Sequence, residues 1–185
     1  ATTCMRRREA RRPATSAATR NRNTVVSSNA TGINGDQTNS TMDDSGAVYV
    51  FSRGSAGAAW SQQAYIKASN TGAGDAFGSR LALSADGTTL AVGGAGEGSQ
   101  ASGIDGNQAD TSANNSGAVY VFTRAAGAWS QQAYVKAGNT RANAEFSRGL
   151  ALTSDGNKLA VGARFETSGA TGINGNQADT TAAFT

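Results

Sequence analysis

The segment Ser45-Gly46-Ala47-Val48-Tyr49-Val50-Phe51 returns as Ser116-Gly117-Ala118-Val119-Tyr120-Val121-Phe122, and Trp60 to Tyr65 returns as Trp129 to Tyr134. A chain that repeats itself this closely is a tandem array, so the unit has to be understood before any residue is given a role. Thr31-Gly32-Ile33-Asn34-Gly35 extends the pattern, answering to Ser102-Gly103-Ile104-Asp105-Gly106 and to Thr171-Gly172-Ile173-Asn174-Gly175, at offsets of 71 and then 69 residues. The lost pair lies between Phe51 and Trp60, where eight residues stand against six between Phe122 and Trp129. An insertion tolerated there marks a surface hairpin turn.

Each unit reads as four short strands. Arg80 to Ser84 and Thr88 to Gly93 flank Asp86-Gly87, a strong hairpin signal between apolar runs. Gly117 to Thr123 is apolar on both faces, as expected of a strand covered above and below, so Val121→Asp is expected to destabilise strongly. Trp129 to Lys136 alternates, with Trp129, Gln131, Ala133 and Val135 on one face; it reads as an outer edge strand whose terminal Lys136 guards against pairing. The composition agrees: 24 Gly, 6% aromatic residues and abundant Ser, Thr and Asn suit turn-rich β structure and leave no pattern for helices. Gly94 to Ser116 forms a long polar loop, of the kind that is functional or mobile in a compact unit.

Tandem four-stranded antiparallel units of about 70 residues describe β-propeller blades. Phe77-Gly78, followed by Leu81-Ala82-Leu83-Ser84-Ala85-Asp86-Gly87-Thr88-Thr89-Leu90-Ala91-Val92-Gly93, resembles the FG-GAP repeat of integrin α-subunit propellers and their bacterial relatives. The resemblance covers roughly residues 29–185 and implies an all-β partial propeller with an incomplete ring: an outer half-blade at 24–76, a complete blade at 77–145 and an inner half-blade at 146–185, as though cut from something longer. Two departures stand out. The Phe-Gly pair becomes Phe146-Ser147, and no proline follows Gly93 or Gly162. The family's calcium loop between the first two strands has shrunk to Ala85-Asp86-Gly87 and to Thr153-Ser154-Asp155-Gly156, and one carboxylate cannot supply six to eight oxygens.

Residues 1–23 match no copy of the repeat and read as a disordered segment. Seven Arg and one Glu give residues 1–22 a charge of +6 within a total of +3, leaving −3 for the remainder. Such a tail offers an alternative function in nucleic-acid binding, though nothing in the body extends the basic patch. Cys4 is the only cysteine, which excludes an intrachain disulfide, and no apolar run is long enough for a membrane span or signal peptide.

The absence of His removes Ser-His-Asp triads and the commonest neutral-pH general base. Asp43, Asp44, Asp75, Glu97, Asp110 and Glu145 lie in loops and read as solvated acids rather than a catalytic pair, so no catalytic, cofactor or metal residue is assigned. Asp105, Asn107 and Asp110 have some oxygen-ligand spacing, which leaves weak Ca²⁺ binding as the only candidate cofactor, against ordinary Asx turns. Gly93-Gly94-Ala95-Gly96-Glu97-Gly98 lacks the following helix that a phosphate cradle needs and reads as loop flexibility. Trp60, Trp129, Tyr65 and Tyr134 recur once per unit and read as packing between blades, while Asn29, Asn39 and Asn114 open formal glycosylation sequons in exposed loops. The sequence therefore leads to a non-catalytic extracellular or cell-surface scaffold for protein or ligand binding or adhesion, with a protein or cell-surface ligand as partner and with further blades or self-association. The other alternative is a propeller enzyme with a loop-built carboxylate site.

Overall fold

The computed structural model describes residues 27–179, so the Arg-rich segment 1–23 lies outside the described residues. Strands β1 (Val48–Ser52) and β2 (Ser61–Ile66) pair alone. Strands β3 (Phe77–Leu83), β4 (Thr89–Gly94), β5 (Ala118–Ala125) and β6 (Ala128–Val135) form one sheet in sequence order, and β7 (Phe146–Leu152) and β8 (Leu159–Ala163) form a third. Every pairing between strands is antiparallel and no described residue is helical. The described residues form an all-β partial propeller in which one complete blade lies between two two-stranded sheets, without closing a ring.

The two faces of the central blade differ because its strands alternate large and small residues. Leu90, Val92, Tyr120, Phe122 and Tyr134 join Val48, Ala64 and Ile66 of the first sheet in one hydrophobic cluster. Phe77 seals it with its edge against Tyr120 and Phe122, centroids 5.2 and 6.2 Å apart. Each such buried aromatic contributes about 1.5–3 kcal/mol. The opposite face carries Ala91 and Val119, and Gly93 there lies so close to Ser147 that a Cβ would sit 2.9 Å from the serine Cβ. Large residues thus meet the preceding sheet and small ones the following sheet. Val119 is wholly buried, whereas Val121 is only half-buried because β7 covers just part of the strand.

The repeated Ser-Gly-Ala segment makes the joint between blades. Gly46 has φ +75° and Gly117 φ +81°, and a Cβ on either would lie 2.0 Å from the carbonyl oxygen of Phe77 or Phe146. Only glycine permits that approach. The Phe77 N–H donates to Ser45 O at 3.1 Å and the Phe146 N–H to Ser116 O at 2.9 Å, so each blade begins alongside the motif of the one before. The extra two residues of the first unit fall in the exposed 53–60 turn, as the spacing predicts; in the central blade Ala126-Gly127, both with positive φ, close the turn.

The outer strand departs from the simple alternation. Val121 pairs with Ala133 but Phe122 with Gln131, so Gln132 is extra and the pattern slips by one residue. Tyr134 and Trp129 are therefore both buried, although the alternation predicts opposite faces. Nor is Lys136 an edge guard. Its backbone N–H donates to Gly103 O at 2.8 Å and the Asp105 N–H donates to Tyr134 O at 2.8 Å, so the long loop itself covers this edge.

Candidate functional site

The long polar loop is held by a buried charged cluster at one end of the blade. Glu97 is 2% exposed, and its Oε2 receives the Lys136 Nζ at 2.7 Å. Its Oε1 accepts from Asn70 Nδ2 and from the Ser99 N–H, each at 3.0 Å. Lys136 also donates to Ser116 Oγ at 2.6 Å, and Ser99 Oγ shares a 2.6 Å hydrogen bond with the Tyr134 hydroxyl. Each partner of this buried ion pair also has further hydrogen bonds, which offset part of the desolvation cost of its charge. The reading of Glu97 as a solvated loop acid is thus overturned. Gly96 packs so closely on Gly74 that a Cβ would lie 2.0 Å from its carbonyl oxygen, so the glycine run serves close approach rather than loop flexibility and carries Glu97 inward.

The neighbouring copies of this cluster are incomplete in opposite ways. Glu166 repeats Glu97: Asn139 Nδ2 and the Ser168 N–H each donate to its Oε1 at 2.8 Å, and Ser168 Oγ to its Oε2 at 2.7 Å, yet no lysine reaches it among the described residues. Lys67 repeats Lys136 and donates to Ser45 Oγ at 2.7 Å and to Gly46 O, yet the sequence places Val26 where the glutamate belongs. Burial lowers the Lys67 pKa to about 8, opposed only by the charge of Asp75. Asp75 is itself buried; burial raises its pKa to about 6 against the Gly72 N–H that donates to it at 2.7 Å.

Beside the cluster a polar groove of about 480 Å³ is lined by Gln100, Ser102, Gly138, Asn139, Thr140, Arg141 and Ala178. It runs between the loop of the central blade and the loop of the next unit. The Arg141 Nε is buried with no acceptor among the described residues.

A family model described as FG-GAP repeat matches residues 60–122. This stretch is an FG-GAP repeat. The match begins beside β2 and ends in β5, so the repeat runs across a blade junction, from the outer strand of one sheet through three strands of the next. No curated protein and no solved structure matches the chain. Within the FG-GAP repeat, Gly78 has φ +92°, and a Cβ there would meet Ala47 O at 2.7 Å; Ser147, in the next unit, holds the same conformation at φ +93°, and its buried hydroxyl has no partner among the described residues.

The other residues singled out by sequence do not converge. Asp105 Oδ1 accepts the Tyr134 N–H at 2.8 Å, Asn107 Oδ1 the Ala109 N–H at 3.0 Å and Asp110 Oδ1 the Ser112 N–H at 2.8 Å, which is local turn and loop-docking chemistry. Asn34 repeats the first of these on Tyr65, and Asn34, Asp105 and Asn174 all have positive φ; the position needs an acceptor side chain and a left-handed backbone together. Asp86 binds Ser84 and Thr88 inside its own turn. Asp43 and Asp44 are exposed and use their backbone carbonyls at the blade junction, and Glu145 is paired to Arg148 at 2.7 Å. Asn29 and Asn114 are exposed and Asn39 half-exposed. Trp129 packs in the core at 7% exposure, but Trp60 is 62% exposed with Arg53 over its ring, because the face that Trp129 turns to the first sheet has no described neighbour at Trp60. Tyr65 and Tyr134 are both fully buried.

The repeat alignment does carry a signal for the cluster. Asn70 and Asn139, Ser99 and Ser168, Glu97 and Glu166, and Lys67 and Lys136 recur at the same offset, whereas the carboxylates considered for catalysis do not recur together.

Proposed function

We propose that the chain is a non-catalytic propeller scaffold that works outside the cell or on its surface and binds a protein or surface ligand in the groove between consecutive blade loops. The observation that carries this reading is the division of labour in the loops. The buried acids Glu97 and Asp75 lie beneath the loops and fix them, while the groove above offers Ser, Gln, Asn and Arg side chains to a polar ligand. Arg141 supplies donors for a carboxylate, a sulfate or a backbone carbonyl. A rigid frame presenting variable loops is a common way to build a binding surface, and the FG-GAP repeat supports this scaffold reading without naming the ligand.

The test is an array of extracellular proteins and acidic glycans probed with the wild-type chain and with Arg141→Glu. The reading expects binding to a subset, lost by about tenfold or more in the variant, with the same melting temperature. Equal binding by both proteins, or no binding by either, overturns it. So does hydrolytic turnover on a substrate panel that disappears in Asp75→Asn.

A further inference from the structure

The two half-sheets are halves of the same object. In the central blade, β4 pairs with β5 in the register Leu90 with Phe122, Ala91 with Val121, Val92 with Tyr120 and Gly93 with Val119. Strand β8, Leu-Ala-Val-Gly-Ala, repeats β4, and β1, Val-Tyr-Val-Phe-Ser, repeats β5. The open edge of β8 and the open edge of β1 have no partner among the described residues. Nearby, Tyr49 and Phe51 stand 40% and 52% exposed on β1, although their copies Tyr120 and Phe122 are fully buried. Exposed strand edges flanked by apolar side chains template pairing with another chain.

We infer that a second copy of this chain docks its β1 edge onto the β8 edge of the first, pairing Leu159 with Phe51, Ala160 with Val50, Val161 with Tyr49 and Gly162 with Val48, and so completing a four-stranded blade between copies. The incomplete charge clusters point to the same partner. Among the described residues, Glu166 has every neighbour that Glu97 has except the lysine, and Lys67 has the hydroxyl that Lys136 has but no glutamate. Docking in this register brings the Glu166 of one copy to the Lys67 of the other. The loop 164–179 of the first copy then displaces 27–42 from the β2 edge of the second, where Gly32 and Asn34 bond to the backbone of Lys67 and Tyr65, and remakes those bonds with its equivalent residues. The incoming loop is the one that carries the glutamate.

The contact is head-to-tail, so it either propagates or closes. The described residues of each copy contribute one complete blade and half of each junction blade. The inference rests on the blade register and is independent of the ligand reading above.

The experiment uses the full chain with Cys4→Ser, so that introduced cysteines are the only thiols. Light scattering over a dilution series is expected to show species larger than the 18.6 kDa chain that dissociate on dilution. Ala160→Cys combined with Val50→Cys is expected to form interchain disulfides under mild oxidation, whereas Ala160→Cys with Ser52→Cys, out of register, is not. Glu166→Gln changes an exposed residue, leaves the fold of each copy intact and weakens association by about tenfold. A clean monomer at every concentration overturns the inference. Equal cross-linking by the two cysteine pairs overturns it, and so does association unaffected by Glu166→Gln.

Discussion

Ser147 shows how a single side chain departs from what its backbone requires. At φ +93° a residue with a Cβ is strained, and its buried hydroxyl has no partner among the described residues, so Ser147→Gly is expected to stabilise the chain by about 1–3 kcal/mol, read as a raised melting temperature. A variant melting below wild type would mean that the hydroxyl has a partner in solution. Lys67 gives a prediction in pH. Its pKa falls from 10.5 to about 8 on folding, so below about 8 both states hold the proton and the folded state bears the full cost of a buried charge. Between about 8 and 10.5 the unfolded state keeps a proton that the folded state has lost, so stability rises with pH across that window. Urea melts from neutral to alkaline pH should show that rise, with a smaller one in Lys67→Met. Asp75 runs the other way: its pKa is raised from 3.8 to about 6, so the folded state keeps a proton that the unfolded state has lost, and stability falls as pH climbs through that window. The sequence displays the Phe146-Ser147 departure openly, but not its cost, because φ is fixed by the close approach of the preceding blade rather than by neighbours in the chain. Lys67 and Glu97 look like any surface charges in the sequence; only alignment of the copies, Lys67 with Lys136 and Glu97 with Glu166, shows that each holds a recurring position.

At the level of elements, the strands were legible and their edges were not. Asp86-Gly87 and the apolar run Ala118 to Phe122 place β3, β4 and β5 to within a few residues, because hairpin chemistry and local burial are written in short segments. The slip at Gln132 and the docking of the loop at Ile104 depend on pairing partners distant in sequence, which is why Lys136 read as an edge guard. The ion pair that replaces that role is testable. Glu97→Gln leaves Lys136 buried without its counter-charge and is expected to cost about 3–5 kcal/mol, while Glu97→Leu with Lys136→Met recovers most of the loss. Equal destabilisation by the single and double changes would mean that the pair matters for shape rather than charge. The blade junction supplies a second test. Gly117→Ala forces a Cβ to 2.0 Å from Phe146 O in a left-handed conformation, so it is expected to cost more than about 2 kcal/mol. Gly98→Ala, where the nearest atom is 3.7 Å away, is expected to be close to neutral in the same melts.

For the whole molecule the order of stability follows from which faces are covered. An array in which each sheet touches only its neighbours is stable roughly as a sum of unit and interface contributions, so the sheet with two interfaces outlasts those with one. The central sheet has the first sheet packed on Leu90, Val92, Tyr120 and Phe122 and the third against its opposite face, whereas Tyr49 and Phe51 of the first sheet lie open. Native-state hydrogen exchange should therefore rank the amides of β4 and β5 slowest and those of β1 and β8 fastest among strand residues. Val119→Asp, at the fully buried position beside the third sheet, should collapse the ranking by unfolding the whole array, since it places an unpaired charge between sheets. Val121→Asp, at the half-buried position two residues on, should be the milder change. Self-association through β1 and β8 would alter only the ends of this ranking: their amides slow as concentration rises while β4 and β5 stay as they were. Dilution thus separates protection that comes from the central blade from protection that comes from a second copy, and uniform exchange across all eight strands would mean that the sheets unfold as one unit.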